Sequence, residues 1–344
     1  MSDELIPLTP SEGVERFLAH RKPSVAKSTY HNNKTVLEHF LAWCREDEVE
    51  NLNDLNGRLM ADFVTWRREQ VEPITLQKNL SAVREALGYW ADIDAVQQGF
   101  RERVHAPEVP DGSEARDIKV APEQAREVIA YLDRFQYASR EHVIIGMLWR
   151  TCMRLGALRS IDVDDLRPEK HAVYLRHRPQ SETPLKNGSK SERWVWLGPN
   201  LSQIIEDYVE HHREDSEDEY GRKPLLSSRF GRLSETAIRN CCYRMTQPCV
   251  LEDCPHGREP RTCEAVGEQS LPSKCPSSKS PHAFRRGAIT DHLNRGVPPE
   301  VVSERADVGL DVLYKHYDAR RPDQKMDVRV EEFLKSKFDD KSEQ

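Results

Sequence analysis

Apolar side chains recur every three or four positions along most of this chain, and the recurrence falls into separate helical stripes. Thr9-Pro10-Ser11-Glu12 joins a capping hydroxyl, a proline at the first helical position and a glutamate three residues after the cap, so a helix should start there. Tyr30, Leu37, Phe40, Leu41 and Cys44 form one stripe. Leu55, Leu59, Phe63 and Trp66 form a second, and Leu76, Leu80, Val83, Leu87 and Trp90 a third. Three amphipathic helices and a short leading one predict a helical bundle over residues 1–105. Residues 106–119 carry no apolar period and are rich in turn formers, which reads as a linker long enough to let two domains close around a partner.

A second helical region is predicted from Pro122, through Val128, Ile129, Leu132 and Phe135 and then Val143, Ile144, Met147 and Leu148. The period then changes to two. Residues 171–176 and 193–197 alternate as strands do, and Asn187-Gly188 between them is a strong turn signal. Helices return over residues 201–209, over 234–245 with Ser234 as the cap, and over 283–293. The charged end, residues 328–344, keeps Val330, Phe333 and Leu334 on one helical side, fit to pack on its own domain or on a neighbour. The prediction is a mainly α protein of two domains, the second (residues 120–344) mostly helical with a small antiparallel sheet. A length of 344 residues allows two cores.

Charge complicates the picture. The net charge is −7, whereas phosphate-binding proteins usually carry a basic excess. The charge is sorted, however. Arg222, Lys223, Arg229, Arg232, Arg239 and Arg244 stand against the single acid Glu235 and follow the acidic run Glu214, Asp215, Glu217, Asp218 and Glu219. That basic run is the candidate DNA-binding face; a solvated surface is the plain alternative. No stretch approaches the roughly 18 apolar residues of a membrane helix, and the start lacks the pattern of a secretion signal, so a soluble cytoplasmic protein without a membrane partner is expected.

Four separated pieces of the second half share one chemistry. Arg154 sits at a break between two helical patterns. Lys186 lies beside Asn187-Gly188, with Lys190 and Arg193 close behind. His282-Ala-Phe-Arg285 puts an imidazole and a guanidinium about one helical turn apart. Tyr317 follows some thirty residues later, and Tyr314 reads as a packed aromatic. Guanidinium forks match phosphate oxygens and stay charged, while a tyrosine hydroxyl, with a pKa near ~10, needs help to lose its proton.

In that order the residues resemble the catalytic set of the tyrosine recombinase, or phage integrase, family, the archaeal-type integrases included. The resemblance covers nearly the whole chain. It implies that residues 1–105 are a SAM-like core-binding domain that clamps DNA and that residues 120–344 are the catalytic domain. It further implies site-specific recombination (integration, excision or resolution) through a 3′-phosphotyrosyl intermediate. Tyr317 would be the nucleophile, Arg154 and Arg285 would hold the phosphate, Lys186 would be the general acid with Lys190 its rival, and His282 would take or orient the tyrosine proton. No cofactor is implied for catalysis. The implied partner is double-stranded DNA with specific sites, bound by a homotetramer. Three positions depart from the family pattern: Ala157 replaces an acid, Val308, next to Asp307, replaces a histidine or tryptophan, and the hairpin from Lys186 to Arg193 is long. Those departures leave room for a second reading, a catalytically impaired, zinc-containing DNA-binding regulator of the same fold. A zinc hydrolase built on His211-His212 is disfavoured because no carboxylate is placed as its base.

Cys249, Cys254, Cys263 and Cys275, with His256 as a substitute ligand, fall in a Cys-rich insertion at residues 246–280. Soft donors among glycines and prolines predict a structural Zn²⁺ that orders the loop ahead of His282, with free thiols as the alternative and disulfides last.

Overall fold

The computed structural model describes residues 5–107, 118–267, 271–317 and Met326. It divides into two compact units between Arg116 and Asp117, within the segment expected to be the linker.

The first unit contains α1 (Pro10–Arg21), α2 (Lys27–Glu46), α3 (Gly57–Arg68) and α4 (Pro73–Asp92). The expected capping box forms: the Thr9 hydroxyl accepts from the Glu12 amide at 3.3 Å, and the Glu12 carboxylate accepts from the Thr9 amide at 3.3 Å. Phe17, Leu37, Phe40, Trp43, Phe63 and Trp90 make its core, each contributing about 1.5–3 kcal/mol on burial. Gly13 allows the closest approach. The Trp90 indole donates to its carbonyl at 2.8 Å, and a Cβ there would lie 2.4 Å from Leu52 Cδ1.

The second unit contains α5 (Pro122–Phe135), α6 (Arg140–Thr151), α7 (Leu155–Ser160), α8 (Pro199–His211), α9 (Glu235–Met245), α10 (Pro281–Asn294), α11 (Pro299–Ala306) and α12 (Leu310–His316). Residues 142–149 of α6 are all buried, so this helix runs through the core. Ser234 caps α9, its hydroxyl accepting from the Ala237 amide at 3.2 Å. A three-stranded antiparallel sheet is ordered β1 (Leu166–Arg167), β2 (Ala172–Leu175), β3 (Arg193–Trp196), with Leu175 opposite Arg193; β4 (Ser227–Ser228) pairs with β5 (Gly231–Arg232).

The two strands read from the alternation are present, but Asn187-Gly188 does not make a tight turn between them. Gly188 has φ 72° while Asn187 has φ −103°, and a two-residue type I′ turn needs both positive. Residues 176–192 instead make an excursion containing two 3₁₀ turns, Pro179–Ser181 and Gly188–Ser191. The expected terminal helix at residues 328–344 lies outside the described residues. The Cys-rich insertion keeps its own form, with 3₁₀ turns at Pro248–Val250 and Pro272–Lys274, and its ends meet where the Lys279 amide donates to the Thr246 hydroxyl at 2.7 Å.

Candidate active site

Each candidate side chain sits where an element starts or stops. Cys152 ends α6 in the left-handed region at φ 57°, which breaks the helix, and Arg154 becomes the N-cap of α7. His282 and Arg285 lie in the first turn and a half of α10, capped by Ser280. Gly287 fixes how deep that helix sits, since a Cβ there would lie 2.1 Å from the Val120 carbonyl oxygen. Lys186 is exposed next to buried Leu185. Tyr317 is the C-cap of α12, its amide donating to the Leu313 carbonyl at 2.9 Å and its own carbonyl accepting from the Thr290 hydroxyl at 3.3 Å.

The fold brings these residues together. Arg285 is only 2% exposed and donates to the Cys152 carbonyl at 2.8 Å and the Ala306 carbonyl at 2.6 Å, so the buried cation is hydrogen-bonded as it must be. Burial, then Arg154, holds its pKa below the ordinary value; the Tyr317 phenol, hydrogen-bonded to it, pulls the other way. Desolvation, then Arg285, Arg286, Lys186 and Arg154, holds the His282 imidazole below its ordinary pKa, so all four cations stand around this ring. Arg286 lies over the Tyr317 ring at 5.9 Å. Burial pushes the Cys152 thiol up to about 12, which removes it as a rival nucleophile.

Three residues outside the sequence-derived set complete the site. Arg305, Ala306 and Asp307, at the end of α11, take three arginines in succession. The Arg305 carbonyl accepts from Arg193 at 3.1 and 3.3 Å, the Ala306 carbonyl from Arg285, and the Asp307 carboxylate from Arg154 at 2.5 Å. Burial lowers the Arg193 pKa to about 10, an effect that Asp307 opposes and Arg285, Arg154 and Arg305 reinforce. The result is a cluster of cations with a phenol against Arg285 and Arg286, chemistry suited to a phosphodiester and an attacking tyrosine. Arg193 and Asp307 were visible in the chain only as neighbours of better-matched positions; Arg286 had no periodic or motif signal beyond adjacency to Arg285.

The basic run divides. Arg232 is in ion pairs with Asp162 and Asp218, its side chain 5% exposed, and Arg222 donates to Asp218 at 3.0 Å, to Asp162 at 3.4 Å and to the Ser181 carbonyl at 2.9 Å. These two arginines brace the fold instead of presenting themselves to solvent, because the acidic run before them folds back and supplies Asp218. Arg239 pairs with Glu235 one turn away at 2.5 Å, and Arg244 is half-buried. Lys223 and Arg229 are exposed, the latter stacked over the exposed Phe230 ring at 4.6 Å.

None of the four insertion cysteines is in a disulfide. Burial, and then Cys254, Cys275 and Cys263, raise the Cys249 thiol. Among the described residues, no three His, Cys, Asp or Glu side chains are arranged to hold a metal ion. His256 donates to, or accepts from, the Ser277 hydroxyl at 2.9 Å.

No protein-family model and no curated protein matches the chain. Solved structures do. The Tn1549 transposon integrase in complex with a circular intermediate DNA superposes with a TM-score of 0.67 at 12% identity, covering 94% of this chain and 99% of that one. A lambda integrase dimer bound to a COC′ core site superposes at 0.63 with 11% identity, covering 93% and 80%. The N-terminal domain of a phage integrase/site-specific recombinase from Haloarcula marismortui is 32% identical over 30% of this chain and 99% of that one, with a TM-score of 0.29, so the fold assignment rests on the other two. The chain shares the fold of these integrases, that of the tyrosine recombinases: a helical first domain followed by a mostly helical second domain with a small antiparallel sheet. Among the described residues no helix is long and apolar enough to cross a membrane.

Proposed function

We propose that this protein is a site-specific DNA recombinase that cuts and rejoins strands through a phosphotyrosyl ester on Tyr317. The grouping of Arg154, Lys186 and Arg285 about His282, with the Tyr317 phenol against Arg285 and Arg286, carries the reading. The tyrosine oxygen attacks the scissile phosphorus, the bond from phosphorus to the 5′ oxygen breaks, and a 3′-phosphotyrosyl ester forms. The tyrosine proton passes to His282, and the 5′ oxygen leaves with a proton from Lys186, whose charge reaches His282 and which is thereby favoured over Lys190. Arg154 and Arg285 hold the two nonbridging oxygens as negative charge grows. Religation is the reverse reaction with another strand's 5′ hydroxyl, so the ester stores the bond. The reading extends to a homotetramer assembled on paired specific sites in the cytoplasm; the fold shared with DNA-bound integrases supports its DNA partner. We further propose that the insertion at residues 246–280 closes around a structural Zn²⁺ held by Cys249, Cys254, Cys263 and Cys275, with no part in the reaction.

The test uses a pool of duplexes with a randomised central segment, each nicked so that the freed end diffuses away. The expected product is a protein–DNA adduct that survives denaturation, is enriched in particular sequences, and disappears in Tyr317→Phe. An adduct persisting in Tyr317→Phe would move the nucleophile elsewhere, and DNA binding without any adduct would favour a regulator of the same fold.

A further inference from the structure

We infer that Asp307 is a positioning residue that sets Arg154 and the segment bearing Lys186 in one geometry, a role that rests on the recombinase reading. Three observations support it. Its carboxylate accepts from Arg154 at 2.5 Å, from Asn187 at 3.1 and 3.2 Å, and from the Ser191 hydroxyl at 2.9 Å. One anion therefore binds the phosphate-facing arginine and both ends of the turn that follows Lys186. Its backbone lies in the left-handed region at φ 54°, which a residue with a side chain adopts at a cost and glycine adopts freely. The neighbouring carbonyls of Arg305 and Ala306 hold Arg193 and Arg285, so with Asp307 this turn anchors three of the site's arginines.

A carboxylate is otherwise a poor choice here. It subtracts positive potential from a pocket that must attract a phosphodiester, so its presence on electrostatic grounds alone would weaken the site. Orientation explains it. Arg154 is 26% exposed, and its long side chain would sample many rotamers without an anchor. Asp307 takes one edge of the guanidinium fork and leaves the other edge for the phosphate.

The experiment compares the full-length protein with Asp307→Gly, Asp307→Asn, Arg154→Ala and the double variant Arg154→Ala/Asp307→Gly, on the duplex recovered from the random pool. Asp307→Gly suits the backbone conformation, so its melting temperature should be unchanged or higher. Its single-turnover cleavage rate should nevertheless fall about 100-fold, the scale expected for a misplaced catalytic group, while DNA affinity holds or improves. Asp307→Asn should fall between the two, because it keeps the shape and loses the charge. The double variant should lose less than the product of the two single losses, since part of the aspartate's effect passes through that arginine and part through the Lys186 segment. Hydrogen exchange of residues 187–191 should quicken in Asp307→Gly. Cleavage at the parent rate in Asp307→Gly, or losses that multiply in the double variant, would overturn the inference and leave the recombinase reading intact. A parent protein that forms no Tyr317-dependent adduct sinks both.

Discussion

A neutral imidazole is what His282 has to offer the reaction, and its surroundings keep it neutral. Charging it would place a cation beside Arg154, Lys186, Arg285 and Arg286 in a partly desolvated position, so its pKa lies below the ordinary value near ~6.5. A base whose pKa is depressed works above that pKa and fails as pH falls through it. The cleavage rate at limiting DNA, which reports the free enzyme, should therefore be flat at neutral pH and fall on an acid limb with its midpoint below ~6.5. His282→Gln should slow cleavage and erase that limb. An acid limb that survives in His282→Gln would assign the titration to another group and remove the imidazole from proton transfer.

Elements were legible in the chain to different depths, for physical reasons. The stripes through Phe40, Phe63 and Leu80 became α2, α3 and α4 because an amphipathic period of 3.6 has one cheap solution, a helix with its apolar side buried. Arg154, His282, Arg285 and Tyr317 stood out as candidates because local chemistry and order in the chain marked them. Asp307 was not, since its importance comes from a positive φ and from partners more than 100 residues away, neither of which leaves a local pattern. Arg222 and Arg232 misled because charge spacing says nothing about whether an acid will fold back onto it. The Cys-rich insertion stands between these cases. Its cysteines open turns, with the Cys254, Cys263 and Cys275 carbonyls accepting from amides three residues on at 3.3, 3.0 and 3.1 Å. As the thiols stand they do not form a metal site among the described residues, so an ion would have to draw them together as it displaces their protons. Metal analysis of the purified protein should find about one zinc per chain at tetrahedral Cys₄ stoichiometry. Cys249→Ser should lose it and loosen residues 246–280 without touching the Tyr317 chemistry directly. Absence of zinc from protein purified without chelator would leave the loop as a free-thiol turn.

For the whole molecule the question is how a chain of net charge −7 would hold the DNA that the proposed function requires. Net charge governs long-range steering, whereas affinity for phosphates depends on which cations are free to displace condensed counterions. Much of the basic complement does neither. Asp162, Asp165 and Asp218 bind Arg178, Arg222 and Arg232 in a network of partly buried ion pairs, so those charges cancel inside the second unit. On the proposed function, the cations left at the surface, Lys223 and Arg229 among them, would carry the electrostatic contact with DNA. Two classes of substitution should separate cleanly. Lys223→Ala and Arg229→Ala should each lower the slope of log affinity against log salt by about 1, with little change in melting temperature. Arg232→Ala removes one partner from a buried pair and should cost about 3 kcal/mol of stability while leaving the salt slope of the folded protein unchanged. Fluorescence anisotropy titrations at several salt concentrations, with thermal melts of the same variants, check both. If Arg232→Ala reduced the slope as Lys223→Ala does, the ion-pair network would have to open on DNA and release its arginines to the backbone.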